Sequence, residues 1–457
     1  MERFIEGRRF HLAVICVITV FVIAAYFNTF HAAFQFDDLP SITQNQQIKN
    51  LGNISGILKS RRPVTQLTFA VNYAIGGTDP FGYHLVNTAI HILTSIAVYF
   101  LVLAALGLAG GAVVWSRLIA GFSALIFAVH PIQTQAVTYI VQRMESLASL
   151  FFVLAILIFI KACKAKSIGA RFALYACVLV AYVLGFYSKE IIVTLPVVIL
   201  LFDIWFFGGG RLKQAYARWP MYAGLCVLLI FFVAETVVPL AGFGDLSKES
   251  AETSAPAAPS GGVGVPGLVP PAPGQGSSLG LRRDIAGAVD NGKRQAAPGK
   301  SASAGFNVVG ISPKEYLYTQ FNVIVYYITL LAVPVNQNVD YDFPVARRFF
   351  SAPQAREGAV LNIPMFAPAV SCLILLVIAG FGVWLFVRSR KGARPRSRVI
   401  SFFIAWFFII LAPTSSIVPI IDVIFEHRVY LASLGFFVSL VIFIDWLSAL
   451  IFNRQGA

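Results

Sequence analysis

HLAVICVITVFVIAAYFNTF, residues 11–30, is twenty residues long and contains no Asp, Glu, Lys or Arg. As a helix it would rise about 30 Å, the thickness of a bilayer's hydrocarbon core. Arg8 and Arg9 precede it, and Phe36-Asp37-Asp38-Leu39-Pro40 closes the segment that follows. Comparable apolar runs recur at 85–106, 118–128, 147–160, 172–186, 191–207, 221–238, 364–387, 399–411 and 429–451. With 58% hydrophobic and only 12% charged residues, the expected fold is all-α: a polytopic membrane protein with about ten transmembrane helices.

Run 11–30 lacks a small-x-small cleavage site before polar sequence, and further spans follow it, so it reads as a retained span and not a signal peptide. Cys16, Cys163, Cys177, Cys226 and Cys372 lie in or beside apolar runs. They read as small core residues, not a disulfide framework or a metal site. The net charge of +14 is distributed by topology and does not mark a nucleic-acid partner. With the amino terminus inside, Arg3, Arg8, Arg9, Lys161, Lys164, Lys166, Arg171, Arg211, Lys213, Arg218 and the dense segment 388–398 all fall on the cytoplasmic side, the positive-inside pattern. Most carboxylates fall on the other side.

The apolar run 316–335 does not fit as a crossing, because it would place 388–398 outside. Its tyrosines suit the headgroup level, so a re-entrant or interface-lying helix on the outer side is expected. Residues 245–305 are dominated by Ala, Pro, Gly and Ser and cannot bury enough apolar surface to form a core. They read as a flexible external insertion between core segments 1–244, with an external loop at 31–83, and 306–457.

The outer polar residues form a series. Asp37 and Asp38 end the first span, and two adjacent carboxylates at a membrane face are costly without partners or work. Residues 51–59 read as a short amphipathic helix, followed by Arg61 and Arg62 at the interface where lipid phosphates lie, or as headgroup anchors. His84, Asn87 and His91 share a helix face at i, i+3, i+7 and read as interhelical hydrogen-bonding groups. His130-Pro131 closes the third span. Gln135, Thr138, Gln142 and Glu145 repeat at helical spacing, which predicts a short amphipathic helix with its polar face in an outer cavity. Ser188-Lys189-Glu190, Asp340-Tyr341-Asp342 and Glu426-His427-Arg428 complete the set.

In that order, Phe36-Asp37-Asp38, Arg62-Pro63 with Asn72, His84 with Asn87 and His91, His130-Pro131, Arg143 with Glu145, Ser188-Lys189-Glu190, the stretch 333–342 and Glu426-His427-Arg428-Val429-Tyr430-Leu431 form a pattern. It resembles the membrane region of the transmembrane and tetratricopeptide-repeat O-mannosyltransferases, especially their bacterial relatives. The resemblance implies a GT-C-like helical bundle and a glycosyltransferase that takes a sugar, mannose-like by analogy, from a polyprenyl-phosphate carrier. It implies transfer to a protein or glycan acceptor on the non-cytoplasmic face, here the periplasmic side of a bacterial inner membrane. It also maps the catalytic carboxylate onto Asp37 or Asp38. The family's external repeats are not in this sequence, so acceptor recognition is expected from another protein, or the acceptor is small or lipid-bound.

Such a displacement needs a base for the acceptor hydroxyl and cations for the departing phosphate. Either aspartate suits the first role. Arg143, Lys189 and Arg428 are the candidates for the second, with Arg61 or Arg62 as the alternative. His84, Glu145, Glu190, Glu426 and His427 are further candidate substrate-binding groups. A divalent cation bridging Asp and phosphate fits the chemistry, but no compelling ligand set is present, and no other cofactor is expected. The rival reading is a transporter or flippase of a lipid-linked or anionic substrate. Transporters place ionisable groups near the midplane, often in repeated halves, whereas these gather at one face.

Overall fold

The computed structural model describes residues 5–240, 308, 310–354, 365–390, 392 and 394–453. The insertion expected at 245–305 lies outside them. The described residues form an all-α polytopic membrane protein. Its long helices are α1 (Arg8–Tyr26), α2 (Pro63–Gly76), α3 (Pro80–Leu108), α4 (Val113–Val129), α5 (Arg143–Lys164), α6 (Ile168–Phe186), α7 (Leu195–Phe202), α8 (Trp219–Leu240), α9 (Pro313–Ala332), α10 (Pro368–Ser389), α11 (Pro395–Leu411) and α12 (Ser433–Asn453).

Among the described residues, seven helical segments are long and apolar enough to cross a bilayer, or eight if α4 and the bent continuation after His130 count as one span. The remaining two of the expected ten crossings fall on α8, whose described apolar part is Trp219–Glu235, and on the 17-residue α11. α8 as a whole has 22 residues, and the 17 residues of α11 are at the lower end of what crosses a bilayer. The outer surfaces are apolar, as at Val20, Phe21, Leu373, Leu376, Val377 and Val383, while the interior holds hydrogen-bonded polar groups. That inversion suits a hydrocarbon solvent.

The two ends of the bundle differ chemically. At the basic end, Arg218 donates to both Asp203 oxygens (2.8 and 3.1 Å) and Tyr222 adds a third donor at 2.6 Å. Also there, Arg396 and the Trp115 indole meet on Asp445 at 2.6 and 2.9 Å. The opposite end carries Asp37, Asp38 and the loops described below.

Helix α9 lies across this second end. Ser312 and Glu315 form a reciprocal cap at its start. Tyr316 donates to the Thr414 carbonyl (2.6 Å), Gln320 to Val423 (2.9 Å) and Tyr327 to Phe425 (2.7 Å). Asn322 donates to Phe366 and accepts from Ser371 at the first turn of α10. Over the roughly 16 Å from Tyr316 to Tyr327, these partners belong to the same end, so α9 runs along that end of the bundle.

Close helix approach is permitted at Gly435, where an added Cβ would run into the Phe403 carbonyl oxygen and within 3.1 Å of Phe407 Cβ. Gly435→Val should therefore force α11 and α12 apart and cost about 1–3 kcal/mol, the usual range for overpacking. A lowered thermal midpoint in detergent checks this; an unchanged midpoint would mean the pair is free to shift.

Candidate functional site

The structure separates the two aspartates. Phe36 has φ 43°, a left-handed conformation that is strained for a bulky residue. Its ring packs edge-on to Tyr139. After this reversal, Asp38 turns inward and is 2% exposed. Its Oδ1 accepts the Val141 amide (2.7 Å) and its Oδ2 accepts the Gln35 amide (3.0 Å). Burial raises Asp38 to about 6, and the amides oppose that rise. Asp37 remains exposed, with its amide donating to the Tyr139 hydroxyl at 2.9 Å. One carboxylate is held by backbone donors; the other faces solvent.

Residues 131–145 do not form the single amphipathic helix expected from their spacing. A 3-10 turn at Pro131–Gln133, a short helix at Thr134–Thr138, an extended Tyr139 and a second 3-10 turn at Ile140–Gln142 lead into α5. The break leaves backbone groups without helical partners, and side chains supply them. Asn87 Nδ2 donates to the Val137 and Ile140 carbonyls, and Asp38 receives the Val141 amide. Gln135, Gln142 and Glu145 are consequently buried against the protein and do not face an open cavity.

Arg143 lies at the centre of this arrangement and is fully buried. Its Nε donates to Asn87 Oδ1 (2.6 Å), one terminal nitrogen to Asn72 Oδ1 (2.6 Å) and Thr68 Oγ1 (3.2 Å), and the other to the Tyr83 carbonyl (3.0 Å). Its guanidinium also lies over the rings of Phe69 and Tyr83. These acceptors tie α2, α3 and α5 together, and they occupy the fork that a phosphate would need.

The accessible charges are elsewhere. Arg61 Nε and an Arg62 terminal nitrogen grip the two oxygens of Glu190 at 3.0 and 2.8 Å, and the Arg61 side chain is 70% exposed. Lys189 meets the buried Glu145 at 2.7 Å and donates to Gln142 Oε1 at 3.3 Å. Burial pushes the Lys189 ammonium below the ordinary lysine value, and Glu145 opposes this. The first turn of α2 is bonded to the same corner, through Val64 N–H to the Tyr187 carbonyl and Thr65 Oγ1 to the Ser188 carbonyl.

The Glu426-His427-Arg428 turn closes the other side. Glu426 accepts from the Asn338 amide and Gln337 Nε2, both at 2.9 Å, and from the Tyr341 hydroxyl. Burial raises its carboxyl above the usual range, against those donors. His427 donates its backbone N–H and Nδ1–H to Gln135 Oε1 at 2.7 and 3.0 Å, and its ring stacks on Phe425. Burial and the cations Lys189, Arg428 and Arg62 keep that imidazole neutral. Arg428 donates to the Val423 and Asp422 carbonyls and so braces its own turn.

The i, i+3, i+7 stripe on α3 is bonded inside the protein. His84 Nε2 donates to the Ala32 carbonyl (3.1 Å), and His91 donates Nε2–H to Ala128 while accepting from the Tyr430 hydroxyl. Residues not singled out by sequence reading include Tyr139 and Thr68. No local signal marks them, because each acts on a partner far away in the chain. Among the described residues, no group of three or more His, Cys, Asp and Glu side chains is placed to hold a metal ion.

Protein O-mannosyl-transferase TMTC2 of Homo sapiens is 37% identical over 164 residues, 33% of this chain and 19% of that protein. The chain is similar to protein O-mannosyl-transferases over about a third of its length. Protein O-mannosyl-transferase tmtc2 of Xenopus laevis is 34% identical over 210 residues, 41% of this chain and 24% of the relative. Tmtc2 of Drosophila melanogaster is 30% identical over 232 residues, 47% of this chain and 23% of the relative. The matched part spans only about a fifth of the length of these relatives. All three are animal proteins and lend no support to a bacterial inner membrane. No family model matches the chain, and no solved structure does.

Proposed function

We propose that this chain is a membrane glycosyltransferase of GT-C type. It moves a sugar, mannose-like by similarity, from a polyprenyl-phosphate carrier to a hydroxyl acceptor at the Asp37 end of the bundle, which faces away from the cytoplasm. The observation that carries the reading is the division of labour between the aspartates: Asp38 is spent on two backbone amides, and Asp37 is exposed beside it. The names of the relatives supply the sugar class and favour a protein acceptor.

In this mechanism the Asp37 carboxylate takes the acceptor hydroxyl's proton. The acceptor oxygen bonds to the anomeric carbon as the bond from that carbon to the phosphate oxygen breaks, and polyprenyl phosphate leaves with the bonding pair. Arg61 and Arg62 are the best-placed cations for that phosphate, because their only carboxylate partner among the described residues is the partly exposed Glu190. Lys189 adds positive potential beside them. Arg143 and Arg428 act through position, holding the segments that carry Asp37 and His427.

The test is release of polyprenyl phosphate with sugar transfer by the purified full chain, across several carrier-linked sugars and with a hydroxyl-bearing peptide as acceptor. No release with any carrier would overturn the assignment, and flipping of the carrier without transfer would favour the transporter reading. Within it, Arg62→Gln should raise the KM for the donor by about tenfold or more, since a charge-assisted hydrogen bond is worth about 1.5–3 kcal/mol. An unchanged KM in both Arg61→Gln and Arg62→Gln would remove these residues from phosphate binding.

A further inference from the structure

A groove of about 750 Å³ runs between α10, α11 and α12. Its walls are apolar, including Phe381, Ile404, Phe436, Leu440 and Trp446, and it extends from Ile328 near the Asp37 end to Arg388, Arg394 and Arg396 at the basic end. A second cavity of about 360 Å³ adjoins it there, lined by Gly111, Trp115 and the same Arg394, Arg396 and Ser397. Two hollows therefore meet at one arginine cluster: a long apolar one, and a smaller one into which Arg394, Arg396 and Ser397 bring polar groups.

The charges at the junction do not balance. Asp445 is engaged by Arg396 and Trp115. Arg388 lies over the Trp384 ring at 4.9 Å and Arg394 is exposed, and neither has a carboxylate partner among the described residues. Arginine forks suit phosphate oxygens, and basic pockets between transmembrane helices are suited to anionic headgroups.

We propose that this pair of hollows holds one anionic phospholipid, with an acyl chain in the groove and its phosphate on Arg388 and Arg394. The arginines that hold the headgroup are at the opposite end of the bundle from Asp37, so phosphate binding there is separate from the proposed transfer reaction. A lipid tail gains little by leaving other tails for an apolar groove. Selectivity therefore comes from the headgroup, and the groove fixes where the lipid sits. Bound there, the lipid fills space between α10, α11 and α12 that side chains leave open.

Trp384 and Trp446 line the groove and report on it. The full chain is reconstituted into phosphatidylcholine nanodiscs containing a few per cent of brominated-chain phosphatidylglycerol or, in parallel, brominated-chain phosphatidylcholine. Bromine quenches nearby indoles, and Trp384→Phe and Trp446→Phe assign the signal. Phosphatidylglycerol should reach half-maximal quenching at a mole fraction about tenfold lower than phosphatidylcholine. Arg388→Gln with Arg394→Gln should abolish that preference, and Leu440→Phe should reduce quenching by obstructing the chain. Equal quenching of the wild-type protein by the two lipids would overturn the proposal without any variant. So would a preference that survives loss of both arginines. Displacement of the brominated lipid by a polyprenyl phosphate but not by unlabelled phosphatidylglycerol would also overturn it, giving the groove to the carrier.

Discussion

Asp37→Asn should lower sugar transfer by about 10²–10⁴-fold, the usual worth of a general base, with little change in the thermal midpoint. The exposed Asp37 carboxylate is touched by the Tyr139 hydroxyl, a donor that an amide oxygen also accepts, whereas Asp38 accepts two backbone amides 103 and 3 residues away in sequence. Asp38→Asn leaves only one side-chain oxygen for those two donors. A buried group without its partner costs about 1–3 kcal/mol, so Asp38→Asn should lower the midpoint and reduce transfer only as far as the Phe36–Asp37 turn is displaced. The two variants thus separate chemistry from scaffolding when rate and midpoint are measured on the same samples. Near-wild-type transfer by Asp37→Asn, with a defined donor, would remove it as the base and shift attention to Glu190 and Glu145.

Arg143→Ala should be the most destabilising single change at this end, by more than about 3 kcal/mol. It strands the buried Asn72 Oδ1 and Asn87 Oδ1, each costing about 1–3 kcal/mol when unpaired, and removes a second donor from the helical Tyr83 carbonyl. It also empties the space beneath Phe69 and Tyr83. Arg143→Lys keeps the charge but cannot reach these divergent acceptors with one point-like ammonium, so it should recover only part of the loss. Thermal unfolding in detergent or a lipid disc gives the measurement. A midpoint within a degree or two of wild type for Arg143→Ala would show that the acceptors find water, and would return Arg143 to the list of free cations.

Much of the architecture is local, and for that reason the sequence by itself determined it. Whether residues 11–30 or 85–106 are helical and apolar depends on their own side chains, because a backbone in hydrocarbon must satisfy its hydrogen bonds within the segment. A helix over the run 316–335 was likewise legible, and the structure has one at Pro313–Ala332. Helix length near the limit, at the 17-residue α11, was harder to judge because hydropathy falls gradually at span ends. Tertiary structure alone decided which polar groups are spent and which are free. Asp37 and Asp38 are adjacent and chemically identical, and a single left-handed residue, Phe36, turns them to different environments. Arg143, Lys189 and Arg61 carry the same charge in the sequence, yet the first is enclosed by neutral acceptors, the second pairs with a buried glutamate, and the third remains exposed. Those outcomes depend on partners 44 to 129 residues away in the chain, and hydrogen-bonding capacity carries no mark of such partners until the helices pack.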